Sequence, residues 1–399
     1  MYGFISLKGG IILNLIEHPY FQRLRRISQL GLTSLVYPGA LHTRFHHAIG
    51  AMHLMQKAIY VLRSKGHEIS NEEAEGVKIA ILLHDIGHGP YSHSLEHSIV
   101  DNISHEELSL FYMHKLNNEF NGKLDLAIQI FKDEYSKSYL HQLVSSQLDM
   151  DRMDYLNRDS FYSGVQEGVV GAERIINMLD VVNDKLVVES KGIYSVEKFL
   201  IARRLMYWQV YFHKTVVSAE QMLIKVLQRA KELSQNNIDL FGTSSLQHLL
   251  NNNFTIEDFK SNPKVFEAFT ELDDYDIMAS IKEWQNHSDN ILASLSNKIV
   301  KRELFKVTLL DEPMDDLSIS RIKKNIMNAY NLDATNVNYF FLEGEITNNA
   351  YKLNDSDINI LFKDNLIKDL MGAADKSTIS ALSKTVKKYF YCHPKNQLI

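Results

Sequence analysis

The chain of 399 residues is 45% hydrophobic and 23% charged, a balance typical of a folded globular protein with a large core. Its net charge of -6 argues against general nucleic-acid affinity, and no apolar run reaches the ~18 residues that cross a bilayer. The single cysteine, Cys392, excludes an intrachain disulfide and a cysteine-based zinc site. We therefore expect a cytoplasmic protein without membrane contact.

The N-terminal region predicts a strand followed by a helix. Residues 1–10 have a strand-like composition and end in a glycine pair, and their abrupt beginning leads us to expect that native N-terminal sequence is missing. Apolar residues from Phe21 to Leu30 have helical spacing, with arginine and glutamine side chains between them. The loop at residues 37–40 separates this helix from the next.

A cluster of histidines follows. Of the 17 histidines in the chain, 11 lie between His42 and His114. A helix at about residues 44–65 carries His47 on its apolar stripe. The adjacent pair His84 and Asp85 stands at the end of the next apolar helix. Imidazole nitrogen and carboxylate oxygen both bind divalent cations, so we interpret the cluster as a metal site rather than as solvated surface histidines.

Further along, a capping box at Ser70 and Glu73 predicts where the helix before the His-Asp pair begins. A later helix carries Asp151, Tyr155 and Asp159 four residues apart, hence on one face. Methionines and a leucine between its acidic residues favour a packed, functional helix over a solvated acidic run.

The rest of the chain predicts a change of architecture near residue 310. A hairpin is expected at residues 179–189, and long helices at 196–233, 244–252 and 275–310. After a polar linker at 311–319, residues 338–346 and 357–362 alternate like strands, and apolar spacing at 379–390 predicts a last helix. We therefore expect a mainly α protein of two units, residues 1–310 and a small α+β unit at 311–399.

Four segments together resemble a known family. His47, the pair His84-Asp85, and Asp151 match the ligand order of the HD-domain metal-dependent phosphohydrolases. The closer resemblance is to deoxynucleoside-triphosphate (dNTP) triphosphohydrolases, and it is carried by residues 21–31, 37–50, 84–93 and 151–159. It is strong over about residues 11–230, weaker to Lys306, and absent beyond. It implies an HD-domain helical core.

The resemblance also implies an activity: hydrolysis of dNTPs at the α-phosphorus, giving a deoxynucleoside and inorganic triphosphate. The implied metal is divalent (Fe, Mn, Mg, Zn or Ni), and its implied ligands are His47, His84, Asp85 and Asp151. The implied catalytic residues are a general acid, His93, an α-phosphate contact, His88, and a supporting pair, His105 and Glu96. Where this chain has Glu96, a family member has the shorter Asp.

Substrate contacts follow from the same matches. The phosphate-binding positions are Arg44, Arg152, Arg203 and Lys214, which suit charge-assisted contacts to a polyphosphate. Tyr155 and Tyr211 match residues that pack on the deoxyribose, and Gln29 and Asp159 match those that bind its 3′-hydroxyl. Leu30 matches the residue whose bulk excludes a 2′-hydroxyl.

Regulation is the last implication. Glu17, Gln22 and Arg25 match positions that read a guanine at an allosteric site between subunits, although the family has Asp at the first of them. The family segment just before Tyr2, which completes a neighbouring nucleotide site, is absent from this sequence. We expect a homo-oligomer, a dimer or tetramer, activated by dGTP or GTP. Exposed polar residues without function are the alternative reading of these positions.

Two other functions remain open from the sequence. One is an HD-type nucleotidase or phosphodiesterase acting on nucleoside monophosphates or cyclic phosphodiesters, against which the triphosphate-binding arginines and lysine argue. The other is a non-enzymatic nucleic-acid-binding or scaffold module with a structural metal, which the acidic charge balance disfavours.

Overall fold

The computed structural model describes residues 1–7, 9–91, 98, 103–351, 357–374 and 376–395. Helices dominate these residues, as the sequence predicts. The α-helices are α1 Ile11–Glu17, α2 Pro19–Gln22, α3 Arg44–Ser64, α4 Asn71–Leu83, α5 His105–Glu119, α6 Asp125–Phe131, α7 Ser138–Val144, α8 Met150–Ser163, α9 Ala172–Asn177, α10 Ile193–Met206, α11 Lys214–Gln235, α12 Ser244–Leu250, α13 Ile256–Ser261, α14 Pro263–Glu271, α15 Asp274–Trp284, α16 Asn290–Val300, α17 Asp316–Tyr330, α18 Leu370–Ala373 and α19 Lys376–Ser383.

Two small sheets complete the fold. The strands are β1 Leu179–Val182, β2 Lys185–Glu189, β3 Lys306–Leu310, β4 Leu342–Asn348, β5 Asn359–Leu361, β6 Ile367–Asp369 and β7 Val386–His393. One sheet has the order β1-β2-β5-β6, with β2 and β5 parallel, and the other has the antiparallel order β3-β7-β4. Since β3 precedes residue 311 and pairs with β7 beyond it, the second sheet crosses the predicted boundary between the two units.

Three helices form the scaffold of the site, because α3 packs against both α4 and α8. Local sequence fixes where α4 begins: the Ser70 hydroxyl accepts from the Glu73 amide at 3.1 Å, and the Glu73 carboxylate accepts from the Ser70 amide at 2.7 Å. Asp149 caps α8 by accepting from the Arg152 amide at 2.7 Å. Gly164, with a φ of 77°, ends α8 in the left-handed conformation that glycine adopts without strain.

Several predicted elements differ from the structure. Residues 1–7 form no strand, and the predicted helix from Phe21 to Leu30 is instead the end of α2, a 3₁₀ turn at Arg23–Arg26 and a bridge between Ser28 and Thr43. The long helix predicted at 196–233 is interrupted by a π turn at Tyr207–Tyr211. The helix predicted at 275–310 is two helices and strand β3.

The last predicted helix is also partly wrong. Helix α19 ends at Ser383, and the apolar residues Val386 and Phe390 belong to strand β7. Phe390 packs over Gly344 of β4, where a Cβ would lie 2.7 Å from the ring. The hairpin β1–β2 and the strand β4 are confirmed within a few residues of the predicted ranges.

Candidate metal centre and active-site cleft

Three donor atoms from three helical segments meet at the wall of a cleft. His47 Nε2 lies 3.0 Å from Asp151 Oδ1 and 3.3 Å from His84 Nε2, and the latter two atoms are 3.4 Å apart. Asp85 adds a carboxylate, with Oδ1 3.4 Å from His84 Nε2 and Oδ2 3.8 Å from His47 Nε2. The structure thus brings together all four residues predicted as metal ligands.

The spacing of these donors fits a divalent cation. Donors bound at ~2.1 Å are about 3.0 Å apart when adjacent on an octahedral ion and about 3.4 Å apart on a tetrahedral one. The donor set itself, two imidazoles and two carboxylates, suits a borderline divalent metal. His84 has its other nitrogen occupied, since Nδ1 donates to the Ile81 carbonyl at 2.6 Å, which points Nε2 at the other donors.

Electrostatics also favour a cation here. Burial alone would lower the pKa of His47, but hydrogen bonds to Asp151 and Asp154 outweigh it and raise this pKa to about 10. Burial would raise the pKa of Asp85, yet His84, His88 and Arg44 hold it well below its ordinary value. The carboxylates therefore keep a positive charge among them, and a bound metal would take the place of the imidazole protons.

A buried ion pair supports His47 from the side away from the donors. Asp154 accepts a hydrogen bond from His47 Nδ1 at 2.8 Å. Arg158 donates two hydrogen bonds to the same carboxylate, from Nε at 2.8 Å and from Nη2 at 2.9 Å. Gly50 on α3 makes room for this pair, because a Cβ there would lie 2.0 Å from Arg158 Nη2 and 2.1 Å from Asp154 Oδ1. We did not predict these three residues.

A second group extends from the donors. Arg44 Nη1 donates to Asp85 Oδ2 at 2.6 Å, and His88 Nε2 lies 3.4 Å from Asp85 Oδ1. The rings of His88 and His105 stack, with centroids 3.9 Å apart. Burial and the Arg44 charge lower the pKa of His88 to about 3. Asp85, His88 and His105 also have donor atoms close enough to share a cation.

The cleft beside these groups has a volume of about 880 Å³. Of the residues predicted for the site, the cleft is lined by Gln29, Leu30, Arg44, His84, Asp85, His88, His105, Asp151, Arg152, Tyr155, Asp159, Arg203 and Tyr211. Arg203 is buried, and Arg152 is partly buried and ion-paired with Asp149; the Nε atoms of both have no hydrogen-bond partner among the described residues. Buried guanidinium groups of this kind suit an anionic ligand.

A further part of the cleft lining comes from α11 and the C-terminal sheet. Phe212, Val217, Glu220 and Gln221 line the cleft from α11 and the preceding turn, and Glu345, Ile346 and Phe390 line it from β4 and β7. The C-terminal sheet therefore forms part of the cleft wall. Among these described lining residues, Glu220 and Glu345 are acidic, and none is an arginine or lysine.

Some predicted residues lie elsewhere. Lys214 is exposed at the start of α11 and is not among the described lining residues. Glu17, Gln22 and Arg25, predicted for a separate site between subunits, are not among the described lining residues of this cleft; Gln22 Nε2 donates to the Ile16 carbonyl at 2.7 Å, and Arg25 Nε donates to Gln22 Oε1 at 2.8 Å. His93 and Glu96 lie outside the residues that the structure describes.

His42 is a further residue that we did not predict. It is buried, and its Nε2 lies 2.7 Å from Asp159 Oδ1. The loop position of His42 carries no periodic signal, and its partner is 117 residues away. By contrast, Asp154 had a weak signal, because it belongs to the acidic run that includes Asp151 and is followed four residues later by Arg158.

Comparisons with known proteins agree with this geometry. Residues 170–254 match the family model described as the HD associated region. The chain superposes on a crystal structure of a phosphohydrolase from Bacteroides thetaiotaomicron with a TM-score of 0.95 and 52% identity, covering 99% of this chain and 98% of that one. Within the described residues, no helix combines the length and apolar character needed to cross a bilayer.

Sequence relatives point the same way. The Bacillus subtilis protein YwfO is 30% identical over 403 residues, which cover 97% of this chain and 90% of that protein. The deoxynucleoside triphosphate triphosphohydrolase SAMHD1 homologue of Dictyostelium discoideum is 32% identical over 243 residues, which cover 55% of this chain and 46% of that protein. With the four HD-type donors in place, the chain belongs to the HD-domain phosphohydrolases, in the group that includes the dNTP triphosphohydrolases.

Proposed function

We propose that the protein hydrolyses dNTPs at the α-phosphorus and releases a deoxynucleoside and inorganic triphosphate. The observation that carries this proposal is the lining of one cleft, which combines residues of the metal-donor cluster, the arginines Arg44, Arg152 and Arg203, the tyrosines Tyr155 and Tyr211, and apolar side chains. A triphosphate needs the metal and the arginines, and the sugar and the base need the tyrosines and the apolar side chains.

The chain's own groups define where each part of the substrate would bind. His47, His84, Asp85 and Asp151 would hold the divalent metal. When bound, such a metal polarises a phosphoryl oxygen and lowers the pKa of its water. Arg44, Arg152 and Arg203 would neutralise the triphosphate, for which charge-assisted hydrogen bonds are the strongest available contacts.

The proposed reaction consumes one water. Its oxygen bonds to the α-phosphorus while the bond from this phosphorus to the sugar's 5′-oxygen breaks, so triphosphate stays intact. The departing 5′-oxygen needs a proton, and the family resemblance gives this role to His93. Such donors contribute typically 10²–10⁴-fold to the rate.

The base would bind in the part of the cleft that Phe212, Val217 and Gln221 line together with the C-terminal sheet. This part of the described lining carries Glu220 and Glu345 and no arginine or lysine, so it does not attract the triphosphate, and its apolar side chains suit a planar base. We also propose a homo-oligomer with a nucleotide activator, supported by the family match of Glu17, Gln22 and Arg25.

The test is a product analysis with Mn²⁺ as the added metal. Purified protein is incubated with each dNTP, and ion-exchange chromatography resolves triphosphate from pyrophosphate and phosphate. We expect triphosphate and deoxynucleoside in equal amounts. Parallel reactions with nucleoside monophosphates and cyclic dinucleotides test the alternative activities; turnover of these, without turnover of dNTPs, would overturn the proposal.

A further inference from the structure

A buried histidine outside the cleft lining holds a carboxylate that faces into it. His42 is 1% exposed, and its Nε2 lies 2.7 Å from Oδ1 of Asp159, which is also 1% exposed. Asp159 lines the cleft, whereas His42 lies behind it. The imidazole also stacks on Tyr162, with ring centroids 4.6 Å apart and an angle of 18° between the planes.

Asp159 is fixed from a second direction. The Tyr211 hydroxyl donates to Asp159 Oδ2 at 2.7 Å, so each oxygen of this carboxylate has one protein partner. A carboxylate oxygen can accept two hydrogen bonds, which leaves Asp159 able to accept another from a ligand in the cleft. The hydrogen bonds from His42 and Tyr211 therefore set the orientation of the Asp159 carboxylate before any ligand binds.

His42 also positions the chain segment that carries Gln29. Its carbonyl accepts from the Gln29 amide at 3.0 Å, next to the bridge between Ser28 and Thr43. The Gln29 side chain lines the cleft, and its buried Oε1 has no partner among the described residues. A buried acceptor of this kind indicates that a polar group from a ligand completes the site.

We propose that His42 is a positioning residue for substrate recognition: it fixes Asp159, and through its backbone Gln29, so that they bind the 3′-hydroxyl of the deoxyribose. This inference rests on the proposed function, and it adds a residue that does not itself touch the substrate. His42 Nε2–H donates to the Asp159 carboxylate, and the carboxylate accepts from the sugar hydroxyl. Without the first bond, Asp159 would lose its fixed orientation.

The experiment compares dTTP with 2′,3′-dideoxythymidine triphosphate, which lacks only the 3′-hydroxyl. Three variants are informative because they separate shape from hydrogen bonding. His42→Phe keeps a ring against Tyr162 but has no donor. His42→Asn places its amide near the Nδ1 position, too short to reach Asp159. His42→Gln places an amide donor near the Nε2 position.

We expect His42→Phe and His42→Asn to lower kcat/KM for dTTP by about tenfold to a hundredfold, the loss typical of a hydrogen bond to a charged group. The kcat/KM for the dideoxy substrate should change by less than about twofold, since this substrate has no 3′-hydroxyl to donate to Asp159. The preference for dTTP over the dideoxy substrate should therefore collapse in these variants and be largely restored in His42→Gln.

A matched control is His248→Phe, which alters a histidine paired with Phe254 away from the cleft. Its preference ratio should equal that of the wild type. If the His42 variants lose activity on both substrates equally, the role of His42 is purely structural and the inference is wrong. If the wild type cleaves neither substrate but hydrolyses another phosphate ester, the proposed function fails instead.

Discussion

Asp154 accepts a hydrogen bond from Nδ1 of His47 at 2.8 Å, on the side of the imidazole opposite to the predicted metal. This bond fixes the tautomer that presents an unprotonated Nε2 to a metal, and it increases the basicity of that nitrogen. Arg158 in turn fixes the carboxylate by two hydrogen bonds. The Asp154–Arg158 ion pair therefore supports the predicted metal ligand His47 from outside the donor cluster.

Asp154→Asn should weaken metal binding by about 10–100-fold, the range typical for the loss of such a supporting carboxylate. Isothermal titration of the metal-free protein with Mn²⁺ measures this directly. Asp180→Asn is a matched control, since Asp180 also pairs with a histidine, His67, but outside the cleft. Equal affinity in Asp154→Asn and wild type would contradict the role given to Asp154.

Gly50→Ala should also weaken metal binding, but through packing and without removing a hydrogen-bonding group. The added Cβ would overlap Arg158 Nη2 and Asp154 Oδ1, so the ion pair must shift away from His47. We expect weaker Mn²⁺ binding and a loss of about 1–3 kcal/mol in the free energy of unfolding. Gly171→Ala, where the nearest atom lies 3.9 Å away, should leave both quantities unchanged. A Gly50→Ala protein that matched the wild type in both would refute this packing argument.

Asp85→Ala and Asp151→Ala should each lose bound metal and activity. Both carboxylates lie within 4 Å of an imidazole Nε2 of the donor cluster, and removing either leaves three donors. Elemental analysis of the purified variants, together with turnover of dGTP, decides the point. Near-wild-type turnover in either variant would remove that residue from the ligand set.

Leu30→Ala should relax the rejection of ribonucleotides. Leu30 lines the cleft next to Gln29, and the family match places its bulk against the sugar's 2′ position. Competition of GTP with dGTP in one reaction gives the ratio of their kcat/KM values. We expect the preference for dGTP over GTP, expressed as a free energy, to fall by about 1–3 kcal/mol. A ratio equal to that of the wild type would place the selection against ribose elsewhere.

A nucleotide activator should raise the rate on a second substrate. The test compares hydrolysis of dATP alone with hydrolysis of dATP plus a trace of dGTP or GTP, alongside the mass of the protein in solution. Activation should coincide with a dimer or tetramer, and Arg25→Ala should reduce it. A monomer with identical rates under both conditions would leave the catalytic proposal standing and remove the regulatory one.

The sequence predicted four side chains that the structure brings together, because each stands on a strongly periodic helix or at its end; that they bind a metal stays a prediction. His47 follows the buried stripe of α3, and Asp151 lies in the first turn of the packed helix α8. It did not predict Asp154, because an Asp followed four residues later by Arg is also the usual pattern of an exposed helical ion pair. Only the packing of α3 against α8 shows that this pair is buried.

The errors in the predicted secondary structure also have specific physical causes. Val386 and Phe390 are four residues apart, which fits a helix, but they lie in an aromatic-rich segment that pairs with β3 and β4. His42 could not be predicted, since its partners Asp159 and Tyr162 come from a helix more than 100 residues away. Long-range pairing of this kind leaves no mark in the local pattern of either segment.

The most direct test of the central claim is the hydrolysis of a dNTP in water enriched with ¹⁸O, followed by mass spectrometry of both products. Attack on the α-phosphorus predicts intact triphosphate that carries one ¹⁸O atom, and an unlabelled deoxynucleoside. Pyrophosphate with a nucleoside monophosphate, or ¹⁸O in the deoxynucleoside, would contradict the proposed reaction.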